Sequence, residues 1–264
     1  MLHPRDIAAA IVRLRAASLT TFDGLSDADL EVEALPGWSV ADVFGHLADS
    51  DRGSVLGVTL LEFLPGKDLF AYERKNDENL ARLRGVDRDT LRGELDRWGR
   101  RLARIVRMTP APLGRVVIPT AFGRVPLAWM ACLRPYDEWV HQWDVAVALG
   151  RDEPLMDAAT ADLLAEFQLR ALPAGALKDA PRRPGVVRIA IPDGPTWQFD
   201  LANHRFGAHV AAAPTVTIRV DVPTFCLIAG DRRPWRELET AGRVVIEGDD
   251  RSAAESILDA CRVV

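Results

Sequence analysis

The spacing of apolar residues changes along this chain, and the change divides the chain into two regions. Up to about Gly150 apolar residues recur at helical spacing, as Ile7 and Ile11 do near the N-terminus. Beyond Gly150 several segments alternate between apolar and polar residues, as around Val187 and Ile189. The pattern therefore predicts an α-helical region followed by a smaller α+β region.

The first region predicts a four-helix bundle. The first helix is expected to start at Pro4, and the second to run from Ser39 to about Phe63. The third is expected to run from Tyr72 to Met108, with a break near Gly85 and a cap at Asp87, and the fourth from Pro126 to Leu149. Ser39 and Asp42 form a capping-box pattern. A loop rich in proline and glycine is expected between Pro110 and Gly123.

The second region predicts strands framed by helices. We expect a helix over about Asp157–Leu172, a loop over Pro173–Gly185, strands around Val187–Ile191, Trp197–Leu201, Val216–Val220 and Arg243–Glu247, and a last helix over Ser252–Cys261. The corresponding domain boundaries are 1–152 for the bundle and 153–264 for the α+β domain.

Composition excludes several broad classes of function. A net charge of −5 gives no electrostatic reason to expect binding to nucleic acid. No apolar run approaches the roughly 20 residues that span a bilayer, and the N-terminus shows no signal-peptide pattern. Cys132, Cys226 and Cys261 are scattered in apolar surroundings, so we expect buried, reduced thiols in a cytoplasmic protein.

The predicted fourth helix carries three polar residues on one stripe. Asp137 and His141 are four residues apart, so their side chains lie one above the other on the same face, and Asp144 follows three residues later. A solvated polar stripe is one interpretation. However, this helix is apolar around most of its circumference, which indicates burial, and buried charged groups need a partner or a metal ion.

The predicted second helix carries a matching histidine, His46. Ser50, Gly53 and Gly57 follow it on the same face, at plus four, seven and eleven. Three small residues beside a histidine weaken a helix. Either close helix packing or open space for a ligand accounts for them.

Two histidines and one carboxylate are typical of a catalytic zinc site. Such sites have three protein ligands and one free position, whereas structural sites are closed. We therefore expect His46, His141 and a carboxylate beside His141 to hold a divalent ion. Asp144 would then orient His141 by accepting its other ring N–H.

These residues also resemble the mycothiol-dependent maleylpyruvate isomerase family, whose N-terminal part is a DinB-like metal-binding bundle. The similar segments in the first region are residues 37–47, 123–127 and 138–150. In the second region, residues 231–234 and 242–249 resemble the family's C-terminal domain, which is similar to sterol carrier proteins.

The resemblance implies roles for individual residues. The family's zinc ligands fall on His46, His141 and, where the family has glutamate, on Asp137. The shorter Asp137 is favoured over Glu138, which follows it. A catalytic arginine of the family falls on Arg232, with Arg233 as the alternative.

The resemblance further implies zinc as the metal and mycothiol or a related thiol as co-substrate. The zinc-bound thiolate would either add reversibly to a cis double bond, as in maleylpyruvate isomerisation, or attack a small electrophile and remain attached, with S-transfer slightly favoured. Arg232 would hold a substrate carboxylate or a developing enolate. The competing hypothesis is a non-catalytic module that binds a small apolar ligand, with a structural metal or none.

Overall fold

The computed structural model describes residues 2–65, 76, 80–179, 182–208, 210 and 212–261. The chain divides into two compact units, Met1–Thr160 and Ala161–Val264. The division falls inside the helix Ala158–Asp179, a few residues after the boundary expected from the sequence. No helix in the described ranges is both long and apolar enough to cross a bilayer.

The first unit is built from helices. Its elements are α1 (Pro4–Asp23), α2 (Asp27–Leu30), β1 (Glu33–Leu35), β2 (Trp38–Ser39), α3 (Val40–Val55), α4 (Val58–Glu62), α5 (Arg88–Met108), α6 (Ala111–Gly114), β3 (Val117–Thr120), β4 (Gly123–Pro126), α7 (Leu127–Ala131) and α8 (Leu133–Ala148). Helices α1 and α3 both pack against α5, and both also contact α8. The predicted helical bundle is therefore confirmed.

Helix α3 shows how the sequence fixes one end of an element more firmly than the other. The Ser39 side chain accepts from the Asp42 amide and Asp42 accepts from the Ser39 amide, which confirms the capping box. The expected end near Phe63 is wrong, because α3 stops at Val55 and Gly57 adopts a left-handed φ of 76°. Gly57 therefore lies in a turn after α3 and is not part of the helix face that carries His46.

Two other expectations for this unit need correction. The predicted fourth helix is divided at Cys132 into α7 and α8. The segment after Pro110 is not a plain loop, since it contains α6 and the antiparallel hairpin β3–β4. The cap at Asp87 is confirmed, and α5 begins at Arg88. Half of the helix expected between Tyr72 and Gly85 lies outside the described residues, and residues 81–85 form turns.

The second unit is a mixed sheet with helices. It contains most of α9 (Ala158–Asp179), β5 (Val186–Ala190), β6 (Thr196–Asp200), β7 (Arg205–Gly207), β8 (Val216–Val220), α10 (Val222–Ala229), α11 (Trp235–Thr240), β9 (Val244–Gly248) and α12 (Arg251–Asp259). Among the described residues the strand order is β7-β6-β5-β8-β9. Only the pairing of β5 with β8 is parallel in this sheet. The predicted α+β class is confirmed.

Sequence patterns located four strands of this unit and its helices α9 and α12, but not its shorter elements. The loop expected from Pro173 is wrong in its first half, because α9 continues to Asp179. Pro173 removes one intrahelical hydrogen bond, which is why a helix end was expected there, but α9 continues through this residue. Helices α10 and α11 and strand β7 were not predicted; each has eight residues or fewer, too short for a clear period.

An arginine crosses the core of the first unit. Arg15 of α1 is buried, and its side chain lies over Gly99 of α5. A Cβ atom added at Gly99 would lie 2.9 Å from Nη1 and 3.0 Å from Cγ of Arg15. Gly99 therefore leaves space for the arginine. In contrast, nothing lies within 4 Å of a Cβ atom at Gly93 on the same helix.

We expect these two glycines to respond in opposite ways to alanine. Gly99→Ala should lower the free energy of unfolding by about 1–3 kcal/mol, because Arg15 is held by its ion pairs and yields poorly. Gly93→Ala should raise it by roughly 0.5–1 kcal/mol, since alanine favours an exposed helix position. Urea unfolding measures both, and equal effects would contradict the packing described here.

Candidate metal centre

Two helices bring together the three residues that the sequence singled out. His46 lies on α3, and Asp137 and His141 lie one helical turn apart on α8. Both histidines are buried, at 4% and 6% exposure, and the Asp137 side chain is 22% exposed. One ligand atom from each residue can be chosen so that all three lie within 4.8 Å of one another.

The separations between each histidine and Asp137 are longer than those of good direct hydrogen bonds and are close to the spacing of two ligands on one ion. Nε2 of His46 lies 3.4 Å from Oδ2 of Asp137, and Nε2 of His141 lies 3.5 Å from Oδ1. A good N–H···O hydrogen bond is shorter, near 2.9 Å. Ligand atoms about 2.0–2.1 Å from a tetrahedral ion lie about 3.3–3.4 Å apart. Two imidazole nitrogens and a carboxylate oxygen also form a donor set that zinc accepts.

Asp144 sets the proton position on His141. Oδ2 of Asp144 lies 2.9 Å from Nδ1 of His141. An ionised carboxylate can only accept, so Nδ1 carries a hydrogen, and Nε2 is the ring nitrogen left for a metal ion. Asp144 therefore lies where it can hold the His141 ring in one orientation, and its role beside a metal ligand stays a prediction.

Glu138 points away from the histidines into the core. Its carboxylate accepts from Nε and Nη2 of Arg15 at 2.9 and 2.6 Å, and from the Ser18 hydroxyl at 2.5 Å. With these partners on both oxygens, Glu138 is poorly placed to serve as a ligand. Between the two alternatives left open by the sequence, the geometry favours Asp137.

Arg134 connects the cluster to the core. Its Nη1 donates to Oδ2 of Asp137 at 2.6 Å, and its Nε donates to Oδ1 of Asp51 at 2.9 Å. Oδ2 of Asp51 lies 2.8 Å from Nη2 of Arg15. Ion pairs of alternating charge thus connect Asp137 to Glu138 through Arg134, Asp51 and Arg15.

Among the described residues of this unit, the buried carboxylates outnumber the buried arginines. The buried charged and histidine side chains among the described residues are Arg15, His46, Asp51, Arg134, Glu138, His141 and Asp144. With neutral imidazoles and with Asp137 included, two arginines stand against four carboxylates, a formal charge of −2. An excess of buried negative charge is costly, and one divalent cation would offset it.

The pKa shifts follow from burial and these neighbours. Burial lowers the pKa of His46 below its usual value, against the opposing effect of Asp137. Burial by itself raises the pKa of Asp137, but the Arg134 guanidinium, together with His141 and His46 when these are protonated, holds that pKa well below its usual range. His46 therefore favours its neutral form and Asp137 its ionised form, as metal ligation requires.

Trp38 forms an aromatic wall of the cluster. Its ring centroid lies 5.2 Å from that of His46 and 6.4 Å from that of His141. The His141 contact is close to parallel, with an interplanar angle of 21°. An indole beside both imidazoles limits their access to water and their freedom to rotate.

The chain's own thiols are poorly suited to act as nucleophiles. Cys132, Cys226 and Cys261 are all buried and reduced, as expected. Burial raises the pKa of the Cys261 thiol far above its usual value.

The predicted catalytic arginine lies in the second unit. Arg232 follows α10 and is half-buried, and its Nη1 donates to the Gly230 carbonyl at 2.6 Å. Its neighbour Arg233 is exposed and pairs with Glu237 at 3.1 Å. The two arginines thus differ in burial and in partners.

Sequence reasoning missed Arg15, Asp51 and Arg134, although their positions carry a signal. Arg15 is four residues after Ile11, and Asp51 is four residues after Leu47, so both lie on the apolar faces of their helices. A charged residue on an apolar face needs a buried partner. The pattern does not identify which partner.

The comparison with protein families agrees with the motifs. The sequence pattern of the mycothiol maleylpyruvate isomerase N-terminal domain matches residues 11–146, which are 136 of the 264 residues of the chain. His46, Asp137 and His141 all lie in the matched range. No curated protein sequence matches the chain significantly.

Solved structures are similar over different parts of the chain. A crystal structure of mycothiol-dependent maleylpyruvate isomerase has a TM-score of 0.49 and 14% identity over 93% of each chain. Sterol carrier protein 2 like 2 from Aedes aegypti has a TM-score of 0.31 and 22% identity, over 36% of this chain and 94% of its own. Sterol carrier protein 2 from Yarrowia lipolytica has a TM-score of 0.27 and 16% identity, over 40% of this chain and 91% of its own.

The charge imbalance predicts that a divalent cation stabilises the first unit. Adding Zn²⁺ to chelated protein should raise the free energy of unfolding by about 4 kcal/mol when the free ion exceeds its Kd by about 1,000-fold. Thermal unfolding with and without a chelator measures the effect. The His46→Ala variant is the control and should respond little, and an equal response in both proteins would contradict binding at this cluster.

Proposed function

The chain belongs to the family of the mycothiol maleylpyruvate isomerase N-terminal domain, and we propose that it is a zinc-dependent enzyme that activates a low-molecular-weight thiol toward a small electrophile. The observation that carries the proposal is the convergence of His46, Asp137 and His141, which can each offer one ligand atom within 4.8 Å of the others. The family match supports mycothiol or a related thiol as the co-substrate.

Each residue of the cluster has a distinct task in this proposal. His46, Asp137 and His141 would hold the ion through two imidazole nitrogens and one carboxylate oxygen. The ion supplies one chemical effect, which is to lower the pKa of a coordinated thiol so that it is held as thiolate at neutral pH. Asp144 would keep the proton of His141 on Nδ1, so that Nε2 is the nitrogen that binds the ion.

The second unit supplies Arg232 in this proposal. A guanidinium can hold a substrate carboxylate or the negative charge that develops on an enolate when the thiolate adds. The support is the match of Arg232 to the family's arginine, together with its half-buried side chain. Arg233 remains the alternative, although its ion pair with Glu237 already occupies it.

Two reactions share this thiol-activating arrangement. In isomerisation the thiolate adds to a cis double bond, the resulting single bond rotates, and elimination restores both the double bond and the thiol. In S-transfer a carbon–sulfur bond forms, the leaving group departs, and the thioether remains. We favour S-transfer slightly, because Asp137 replaces the family's glutamate; analysis of the products for a thioether decides between the two.

The ligand assignment predicts the metal content and activity of variants. Wild-type protein should contain about one zinc per chain and show turnover in a thiol-by-electrophile screen that includes mycothiol. His46→Ala should lose both the metal and the turnover, whereas His3→Ala, a histidine outside the cluster, should keep both. Elemental analysis and the screen measure these outcomes.

The two carboxylates provide a sharper version of the same test. Asp137→Ala should lose the metal, whereas Glu138→Ala should keep it and unfold more easily, because Arg15 then loses its partner. The reverse result, with metal kept in Asp137→Ala and lost in Glu138→Ala, would show that the ligand assignment is wrong.

A binding function is the second candidate, and one cavity favours it. A mainly apolar cleft of about 250 Å³ in the first unit is lined by residues that include Leu102, Val106, Leu127 and Leu133. Protein that binds a neutral aromatic compound there, but contains no metal and turns over no thiol, would favour this function over the enzyme. Metal-dependent turnover would reject it.

The assignment of Arg232 predicts a difference between neighbouring arginines. Arg232→Ala should lower kcat/KM by roughly 100- to 1,000-fold, the usual cost of removing one stabilising donor, and Arg232→Lys should restore part of it. Arg233→Ala should stay close to wild type. Steady-state kinetics measure all three variants, and unchanged activity in Arg232→Ala would remove this residue from the mechanism.

A further inference from the structure

The two oxygens of the Asp137 carboxylate have different neighbours. Oδ1 lies 3.5 Å from Nε2 of His141. Oδ2 lies 3.4 Å from Nε2 of His46 and accepts a hydrogen bond of 2.6 Å from Nη1 of Arg134. Oδ2 is therefore hydrogen-bonded to a guanidinium, and among the described residues Oδ1 has no such hydrogen bond.

Arg134 is fixed in this position from the core side. Its side chain is only 7% exposed, and its Nε donates to Oδ1 of Asp51 at 2.9 Å. Asp51 is in turn ion-paired with Arg15, whose Nη2 lies 2.8 Å from the other oxygen of Asp51. A guanidinium held by a buried carboxylate cannot swing aside without leaving a buried charge unpaired.

We propose that Arg134 is a positioning residue that makes Asp137 a ligand through one oxygen only. The inference rests on the proposed function, because it concerns the ion that this cluster would hold. A divalent cation and a guanidinium repel each other, so they do not share Oδ2 readily, and Oδ1 is left to face the ion. Carboxylates without such a partner can bind cations through either one or both oxygens.

Binding through one oxygen has a consequence for the co-substrate. With three protein atoms bound, a tetrahedral ion keeps one position for an outside ligand. A second oxygen from Asp137 would raise the coordination number and compete with the thiol sulfur. Arg134 thus controls how much room the centre leaves for a thiol, although it need not touch the ion or the thiol.

The test uses Co²⁺ in place of zinc, because its visible absorption reports coordination number. Four-coordinate Co²⁺ absorbs several-fold more strongly than five- or six-coordinate Co²⁺. Wild-type protein loaded with Co²⁺ should show the strong four-coordinate spectrum and a sulfur-to-cobalt charge-transfer band when mycothiol is added. Arg134→Met should show a several-fold weaker spectrum and a weaker mycothiol response.

Two further variants separate positioning from a purely structural role. Arg134→Lys keeps a positive charge beside Oδ2 and should recover most of the four-coordinate spectrum. Arg92→Met is the matched control, because Arg92 holds Asp23 through two hydrogen bonds on the exposed surface. Its cobalt spectrum should equal that of wild type.

The outcomes distinguish this inference from the proposed function. If wild-type protein binds no Co²⁺, the proposed function fails. If wild type binds Co²⁺ and folded Arg134→Met keeps the wild-type spectrum, only the role of Arg134 is overturned. If Arg134→Met does not fold, Asp51→Asn decides: the loss of the anchor should weaken the spectrum in the same direction, and an unchanged spectrum overturns the proposal.

Discussion

Charge buried among packed helices is the constraint on which this structure depends. Arg15 and Arg134 cross the first unit and link Glu138, Asp51 and Asp137 into one chain of ion pairs. Each of these groups would be strongly destabilising if it lost its partner. The helices that carry them are therefore fixed relative to one another, and the end of this chain of charges fixes the carboxylate beside the two histidines.

The same constraint joins stability to chemistry. Among the described residues the buried carboxylates outnumber the buried arginines, and the cation that we propose where His46 and His141 meet would offset this negative charge. A protein that only stacked helices would do better with apolar residues at these positions. The retained charges make sense if they hold an ion that prepares a thiol, which is the function proposed for this member of the family.

The local sequence was enough for much of the fold and part of the site. The start of α1, the capping box of α3 and the cap of α5 were predicted correctly, because each depends on residues within one helical turn. The grouping of Asp137, His141 and Asp144 also follows from spacing on one helix. The end of α3 was predicted wrongly, because periodicity did not show that Gly57 takes a left-handed conformation.

The sequence alone determined that two regions of different type exist, that one helix carries a carboxylate and an imidazole in line, and that the motifs resemble those of the family to which the chain belongs. Only the tertiary structure showed that Asp137, and not Glu138, lies beside both histidines. The ion pair between Arg134 and Asp51 was likewise visible only in the tertiary structure. The physical reason is distance along the chain. Arg15 and Glu138 are 123 residues apart, and no local pattern encodes which buried charges will meet when helices pack.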